Sequence, residues 1–548
     1  MATSMILIGQ GNYMDRKIVI FEPSGLKIDA DETATILDAA RRLGLHIPSE
    51  CGGMGTCGKC LVLIEPSLQI SEHDRLHISD SDLKKGVRLA CQHKPQRDLR
   101  VAIEESVRQA KILVDGIVSS TTFDIAEGLE NQKGIAIDLG TTTIVAYLID
   151  LKTGVQIGHV ATLNPQIMYG EDVMSRITYA AIENGGAKIL KDVVLRRIEE
   201  LIIELLSSAE LSLQNLSRLV IVGNPAMHHL LLGFDTKSLG KAPYEPVIKN
   251  ALNKSGEELG FVNAKQTNVY FPPNVAGFVG GDTVAFILSQ RLDTTDKIVL
   301  GIDIGTNGEI VLSMEGDLIC CSAAAGSAFE GATIKHGMRG QTGAIEHLSI
   351  VNPIEAPQIF VIDNAVPKGI CGSGIVDIVA ELKASGIITS NGKMLESERV
   401  IDFEGEKAYV ITKPGENNSE QLLIFTQNDI RQVQLAKGAI LAGASILLES
   451  TGIDVSEVDM LLLAGAFGNY INPKNALAIG LLPPVGIKKI YLVGNAAGMG
   501  AKRMLLSLRE RMLIESAVER IKYLELAQYD NFARIFSRAT VLEGIMPI

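Results

Sequence analysis

The sequence predicts a multidomain chain, with a small α+β domain at the N-terminus followed by a larger, internally duplicated α/β domain. Three observations predict it. A hairpin pattern, a short helix and a glycine-rich cysteine loop fall together within residues 15–105. An apolar strand ending in Asp-x-Gly-Thr occurs twice, at Asp138 and again at Asp303. Around those copies, strand-length and helix-length apolar runs alternate. The 548 residues exceed one ordinary domain, and 46% hydrophobic with 21% charged residues is a globular composition. A formal charge of −13 speaks against nucleic acid or an anionic membrane as partner, since both are bound through basic patches. No apolar run reads as a membrane span, and Met5-Ile-Leu-Ile8 is too short for a signal-peptide core, so the expectation is a cytoplasmic chain.

In chain order, Lys17 to Phe21 alternates, with Ile18 and Ile20 on one face, then turns at Ser24-Gly25 and returns through Leu26 and Ile28. Thr35-Ile-Leu-Asp38 has the form of a capping box, and Gly44 and Pro48 end the helix it starts. Next comes Cys51-Gly-Gly-Met-Gly-Thr-Cys57-Gly-Lys-Cys60, with Cys91 thirty-one positions further on. Four thiolates suit a two-iron, two-sulfur cluster, and Gly52, Gly53, Gly55 and Gly58 let one loop wrap it while turning N–H groups toward its sulfurs. Zinc is less well served, because only Cys57 and Cys60 have knuckle spacing, and a disulfide framework is foreign to so long a chain without signs of secretion. The runs Leu61–Ile64, Val87–Cys91 and Leu99–Ile103 read as later strands. The spacing of five residues, then two, resembles the adrenal and bacterial ferredoxin variant of the plant-type loop, and the whole stretch resembles a β-grasp 2Fe–2S ferredoxin. Cys320, Cys321 and Cys371 lie in apolar or glycine-rich contexts and read as small core residues.

Residues 106–132 form a connector with a weak apolar patch, Ile112-Leu-Val114, and a polar run, Ser119-Ser-Thr-Thr122. The duplicated part follows, with a first half over 133–292 and a second over 293–548. In its first copy Asp138-Leu-Gly140-Thr141-Thr142-Thr143 joins two apolar strands; in its second, Asp303-Ile-Gly305-Thr306-Asn307 does the same. A glycine turn lets backbone N–H groups approach phosphate oxygens, hydroxyls add donors, and the aspartate can bind Mg²⁺ directly or through water. Two copies about one domain half apart resemble the phosphate hairpins of the actin, hexokinase and heat-shock-chaperone ATPase superfamily.

Between the copies, Leu195–Leu206 has helical spacing and Leu219–Val222 reads as a buried strand leading to His228 and His229, which read as packing rather than metal-binding residues. Asn164 to Arg176 reads as a loop and then a helix, and Pro272 to Asp282 as a glycine-rich approach to another helix. Ser322 to Gly331 has almost no side-chain bulk, which suits tight helix packing or close approach of a flat ligand. Gly369-Ile-Cys-Gly372-Ser373-Gly374 precedes a helix from Ile375 to Leu382 and suits an anion at its N-terminus. Asp429 to Leu448 reads as a long helix. Val458–Leu463 runs into Gly465-Ala466-Phe467-Gly-Asn469, and Leu492-Val493 into Gly494-Asn495; these turns resemble the superfamily's adenosine motif, with Ala466 where a second glycine is common.

These motifs together, with Asn164-Pro-Gln, Gly223-Asn-Pro-Ala-Met-His-His, Ala324-Ala-Gly-Ser-Ala-Phe-Glu-Gly331 and Gly465-Ala-Phe-Gly-Asn-Tyr470, resemble the reductive activators of corrinoid-dependent enzymes. The resemblance implies an ATP-dependent enzyme that reduces a partner's Co(II) corrinoid to Co(I) with an electron from its 2Fe–2S cluster. It implies Mg²⁺ at Asp138 and Asp303, phosphate contacts from Gly140, Thr141, Thr142, Thr143, Gly305, Thr306, Asn307, Gly372 and Ser373, and an adenosine floor at Gly465, Ala466, Phe467, Gly494 and Asn495. Ser322 is the candidate corrinoid contact. The implied partners are a corrinoid protein of a methyltransferase system and a low-potential electron donor, with a homodimer left open. An iron–sulfur activator of a 2-hydroxyacyl-CoA dehydratase, an actin-like small-molecule kinase and a filament protein are the alternatives from other classes.

Overall fold

A computed structural model describes residues 17–30, 33–45, 47–49, 51–103, 132–468 and 470–546. The connector patches, Met5–Ile8 and Asn469 lie outside the described residues. The chain divides into two compact units, one of residues 1–106 with Gln166–Tyr179 and one holding the remainder.

In the first unit, β1 (Lys17–Glu22) and β2 (Leu26–Ala30) form the expected hairpin, and β3 (Leu61–Glu65), β4 (Val87–Leu89) and β5 (Leu99–Ala102) complete a sheet ordered β2-β1-β5-β3-β4. β1 and β5 run parallel; the other neighbours are antiparallel. The buried face of β1 is Val19 and Phe21, not Ile18, which is 41% exposed. Both faces of that strand are apolar in sequence, so alternation could not say which turns inward. A helix, Ile36–Arg42, covers the sheet, and its capping box pairs Thr35 with Asp38 in both directions. Two short helices, Glu72–His77 and Asp80–Lys85, precede β4 and were not legible as periodic runs. The strand expected through Cys91 stops at Leu89; Ala90–Gln92 is a single 3-10 turn instead.

In the second unit, β6 (Lys133–Leu139), β7 (Thr143–Asp150), β8 (Gln156–Leu163), β9 (Leu216–Gly223), β10 (Leu252–Ser255) and β11 (Asn268–Phe271) form one six-stranded sheet, ordered β10-β11-β9-β6-β7-β8. β12 (Ile298–Ile304), β13 (Gly308–Met314) and β14 (Asp317–Ala323) begin another. Small three-stranded sheets follow, from β15 (Ala344–Ser349), β16 (Gln358–Val361) and β17 (Gly369–Ile370), and from β18 (Val400–Phe403), β19 (Glu406–Thr412) and β20 (Leu423–Thr426). Then β21 (Met460–Ala464), β22 (Ile490–Gly494) and β23 (Lys522–Tyr523) complete the order β22-β21-β12-β13-β14-β23.

The duplication is therefore topological as well as sequential. In each large sheet an antiparallel three-strand meander has a parallel strand added beside its first member, β9 beside β6 and β21 beside β12. One core runs between the two sheets and includes Tyr147, Val220, Phe286, Val311 and Met504. The helix Ala496–Leu506, late in sequence, packs on β6, β9 and the helix Gly281–Gln290, so the early sheet is closed by a late segment. The long helix spans Gln427–Thr451. By length and apolarity it could cross a membrane, which corrects the expectation that no run is long enough, yet 83% of its most apolar window is buried inside the protein.

Candidate functional sites

The thiol loop belongs to the first unit. All four cysteines are free of disulfide bonds, and Cys51, Cys60 and Cys91 are buried with Cys57 half-buried. Gly52, Gly53, Gly55 and Gly58 all take positive φ, between 67° and 112°, so the loop's path depends on residues without a Cβ. The sulfurs of Cys60 and Cys91 stand 3.3 Å apart, and the thiols of Cys51 and Cys57 form a second hydrogen-bonded pair. Each pair shares a proton unevenly: the bond from Cys57 pulls Cys51 far down, the bond from Cys60 pulls Cys91 down, and Cys57 and Cys60 are pushed up. A group that replaces those shared protons satisfies all four sulfurs, so the residues present fit a Cys₄-held cluster.

Cys91 is brought to the loop by backbone and carboxylate together. Ala90 N donates to Cys60 O at 2.8 Å, while the fully buried Asp74 accepts from Leu89 N at 2.9 Å, from Ser71 N at 2.8 Å and meets His93 Nε2 at 2.7 Å. Arg41 Nη2 donates to Gly52 O at 2.8 Å, which holds the start of the loop. Gln92 Nε2 donates to Cys91 Sγ at 3.3 Å, across a gap that exists because residue 55 is glycine: a Cβ there lies 2.6 Å from the same nitrogen.

The second unit carries a cavity of about 300 Å³ between the two glycine turns. The turns are closed alike, Gly140 N donating to Thr143 O and Gly305 N to Asn307 O, both at 2.9 Å, so the second is one residue tighter. Gly140, Thr141, Thr142, Thr143, Gly305, Thr306, Asn307, Gly372, Ser373, Gly465 and Asn495 all line the cavity, as do Asp138 and Asp303. Gly494 stands one residue behind the lining, and the side chains of Ala466 and Phe467 lie outside what the structure describes. Gly465 opens a short helical turn, Gly465–Gly468, with φ +85°. Ser322 pairs opposite Glu309 at the end of β14, half-buried and outside the lining.

Six carboxylates line this cavity, Asp138, Asp282, Asp303, Glu309, Glu330 and Glu346, and only Asp138 and Asp303 were singled out by motif. Asp282 lies in the first turn of the helix Gly281–Gln290, and Glu309 is opposite Asp303 in the β12–β13 register. Burial pushes Asp138 up to about 7, opposed by the 2.9 Å hydrogen bond from Asn495 Nδ2, with the Asp282 charge adding to the rise. Burial, then the charges of Asp282 and Asp138, push Asp303 up to about 7 as well. Burial pushes Asp282 up to about 6, and burial followed by its two aspartate neighbours pushes Glu309 up. So much like charge out of water calls for a cation. Among the described residues no three His, Cys, Asp or Glu side chains converge as ligands of one ion.

Two further residues brace the turns. Asn224 caps the helix Pro225–Leu232, accepting from Met227 N at 3.0 Å, and donates to Thr141 Oγ1 at 2.9 Å. Glu330 accepts from Thr142 Oγ1 at 3.1 Å and also from Thr306 Oγ1. His228 and His229 are buried in that same helix; His229 meets Pro225 O and accepts from Val247 N at 2.9 Å, which is packing and hydrogen bonding as expected. Cys320 and Cys321 are core residues, whereas Cys371 also lines the cavity.

Residues 19–96 match the 2Fe-2S iron-sulfur cluster binding domain, residues 133–295 the RACo middle region, and residues 297–546 the C-terminal domain of RACo, the ASKHA domain. The corrinoid activation enzyme RamQ of Eubacterium limosum is 32% identical over 95% of this chain and 98% of its own length. The chain belongs to the reductive activators of corrinoid proteins. A solved member of this family, the reductive activator for corrinoid, iron-sulfur protein, is 30% identical and superposes with a TM-score of 0.68 over 96% of this chain and 98% of its own. The [Co(II) methylated amine-specific corrinoid protein] reductase of Methanosarcina barkeri is 24% identical over 70% of this chain and 72% of its own. Family membership makes the first unit's thiol loop a 2Fe–2S site and the second unit an ATP-binding actin-like domain.

Proposed function

We propose that this chain is an ATP-dependent reductase that delivers one electron to the Co(II) corrinoid of a methyl-transfer protein and leaves it as Co(I). The observation that carries the reading is the union, in one chain related to RamQ along its length, of four cluster thiols free of disulfide bonds and a carboxylate- and hydroxyl-lined cleft. Cys51, Cys57, Cys60 and Cys91 hold the cluster, which when bound stores one electron at low potential. Arg41 and Asp74 fix the backbone that presents those thiols, and Gln92 donates a hydrogen bond to one of them.

A plant-type cluster lies near about −400 mV, and each 59 mV or so of one-electron mismatch is tenfold in equilibrium constant. The corrinoid couple is lower still, so the transfer needs an added bias. A ligand supplies bias only by binding two states unequally. Asp138 and Asp303 hold Mg²⁺ with the nucleotide, Asp282 and Glu309 deepen the negative field that attracts it, and the threonines and backbone N–H groups of both turns meet the phosphates. Nucleotide binding and hydrolysis then alter the cleft and, with it, affinity for the Co(II) form of the partner. The electron comes from a low-potential donor, in a reducing compartment such as the cytoplasm, where thiols persist. Ser322 remains the candidate corrinoid contact, half-buried at a strand end.

The test is anaerobic. Reduced protein, Mg·ATP and a Co(II) corrinoid protein are mixed and cobalt absorbance is followed; Co(I) should form with ATP and fail to form without it. Absence of ATP-dependent Co(I) with every corrinoid partner tried overturns the reading. Iron analysis checks the centre independently, with about two irons per chain expected and lost in Cys57→Ala; stoichiometric zinc in colourless protein overturns it.

A further inference from the structure

Each threonine hydroxyl has one proton to donate. In this structure the hydroxyls of Thr142 and Thr306, one from each glycine turn, both point it at Glu330. They are therefore unavailable to a phosphate until that carboxylate lets go. Glu330 ends a one-turn 3-10 helix, Ala328–Glu330, anchored before and after it: Ala328 and Phe329 are buried, and Gly331 at φ +83° is pressed so closely against Met338 that a Cβ lies 2.6 Å from its backbone nitrogen. Earlier in the chain Ala324 and Gly326 are exposed, with Ala325 buried between them, and a Cβ at Gly326 meets nothing within 4 Å. The Thr142 and Thr306 bonds thus join this otherwise packed turn to the two glycine turns.

We infer that Glu330 is a positioning residue that ties the two phosphate turns together, and that the nucleotide's phosphate displaces it by taking the Thr142 and Thr306 hydroxyls. The inference rests on the reading of this cleft as the ATP site. It gives the nucleotide a defined mechanical consequence, the release of the Ala328–Glu330 turn from both glycine turns. The carboxylate and the phosphate carry the same charge and want the same donors, so they exclude each other for two reasons at once.

The experiment measures binding of the imido analogue of ATP with Mg²⁺ to full-length protein, with hydrogen exchange of the peptide covering residues 323–331 followed alongside. Wild type should bind, with exchange of that peptide speeding on binding. Glu330→Ala should bind roughly tenfold more tightly, the worth of charge-assisted bonds no longer to be broken, and its peptide should exchange fast with or without nucleotide. Glu330→Gln, of equal shape but uncharged, should fall between the two and guards against a folding defect in the alanine variant. Equal or weaker binding by both variants overturns the tether, as does nucleotide-insensitive exchange in wild type. Failure of wild type to bind nucleotide at all is a different result, and overturns the cleft assignment itself.

Discussion

Replacing Asp74 by alanine should strip the cluster from its domain without touching a ligand. Asp74 is 0% exposed and holds Leu89 N, Ser71 N and His93 Nε2, so its bonds lie on both sides of the turn that carries Cys91. Burial by itself pushes its carboxyl up, but the N–H groups of Leu89 and Ser71, with His93, outweigh burial and hold it below the usual range. It is therefore ionised at neutral pH and its bonds are charge-assisted. Such bonds are worth about 1.5–3 kcal/mol each, and removing one member of a buried pair costs about 3–5 kcal/mol. Because the three bonds share one side chain they do not add, and about 4 kcal/mol is the working figure. That is close to a thousandfold in equilibrium at about 1.4 kcal/mol per tenfold. At about 4–8 °C per kcal/mol for a domain this small, the midpoint falls by about 15–30 °C. The assay is bleaching of the cluster's visible absorbance on heating the anaerobic full-length protein, with nucleotide binding as the unaffected control. A midpoint within about 3 °C of wild type refutes the reasoning, given the slope above. The sign with pH is also fixed. A carboxyl depressed in the folded state stabilises above its ordinary pKa of about 4, so variant and wild type should converge only as pH falls below that value.

Gln92→Leu removes the N–H donor to Cys91 Sγ and should lower the cluster's potential, since a donor favours the more negative reduced state; one neutral bond of about 1 kcal/mol corresponds to roughly 40 mV, read by anaerobic redox titration. Mg·nucleotide affinity should climb as pH rises through about 7, because Asp138 and Asp303 are raised to about that value and must lose their protons to meet the cation; Asp138→Asn and Asp303→Asn should flatten the profile and abolish ATP stimulation with the cluster spectrum intact. The same raised values mean that, as far as these two groups go, the fold is most stable below about pH 4 and their contribution is lost as pH rises to about 7. Gly465→Ala puts a methyl group 2.5 Å from Asp303 Oδ1 at φ +85°, so nucleotide affinity should drop at least tenfold in a binding titration while cluster content is unchanged.

What the sequence disclosed and what it hid divide along a physical line. The thiol loop and both Asp-x-Gly-Thr turns are contiguous, and their chemistry is local, so spacing could single out Cys51, Cys57, Cys60, Asp138 and Asp303; the structure leaves the cysteines free of disulfides and sets both aspartates in the cavity lining. Asp282, Glu309 and Glu330 acquire meaning only through neighbours brought in from elsewhere: Glu330 reaches Thr142 across 188 positions. No local pattern marks such a residue, although an acidic side chain at the end of a run otherwise free of bulk was a signal. Asp74 hid for a different reason, because its short helix has no apolar period and its partners lie 15 and 19 positions away. Cys91 was assigned to a strand since apolar residues precede it, whereas the need to present a sulfur to the loop is met by a 3-10 turn.

The hydrogen bond from Asn495 to Asp138 joins residues 357 positions apart, and the helix that follows Asn495 closes the early sheet, with Gly500 against the backbone of Ala285. On a ribosome working at roughly 5–20 residues per second, the Asp138 turn therefore waits on the order of 20–70 s for the segment that completes it. Throughout that interval the early sheet lacks the cover that the late helix gives it, and the cleft lacks one wall. A chain released before Asn495 therefore has its cluster cysteines in hand but a cleft without the residues that complete its wall.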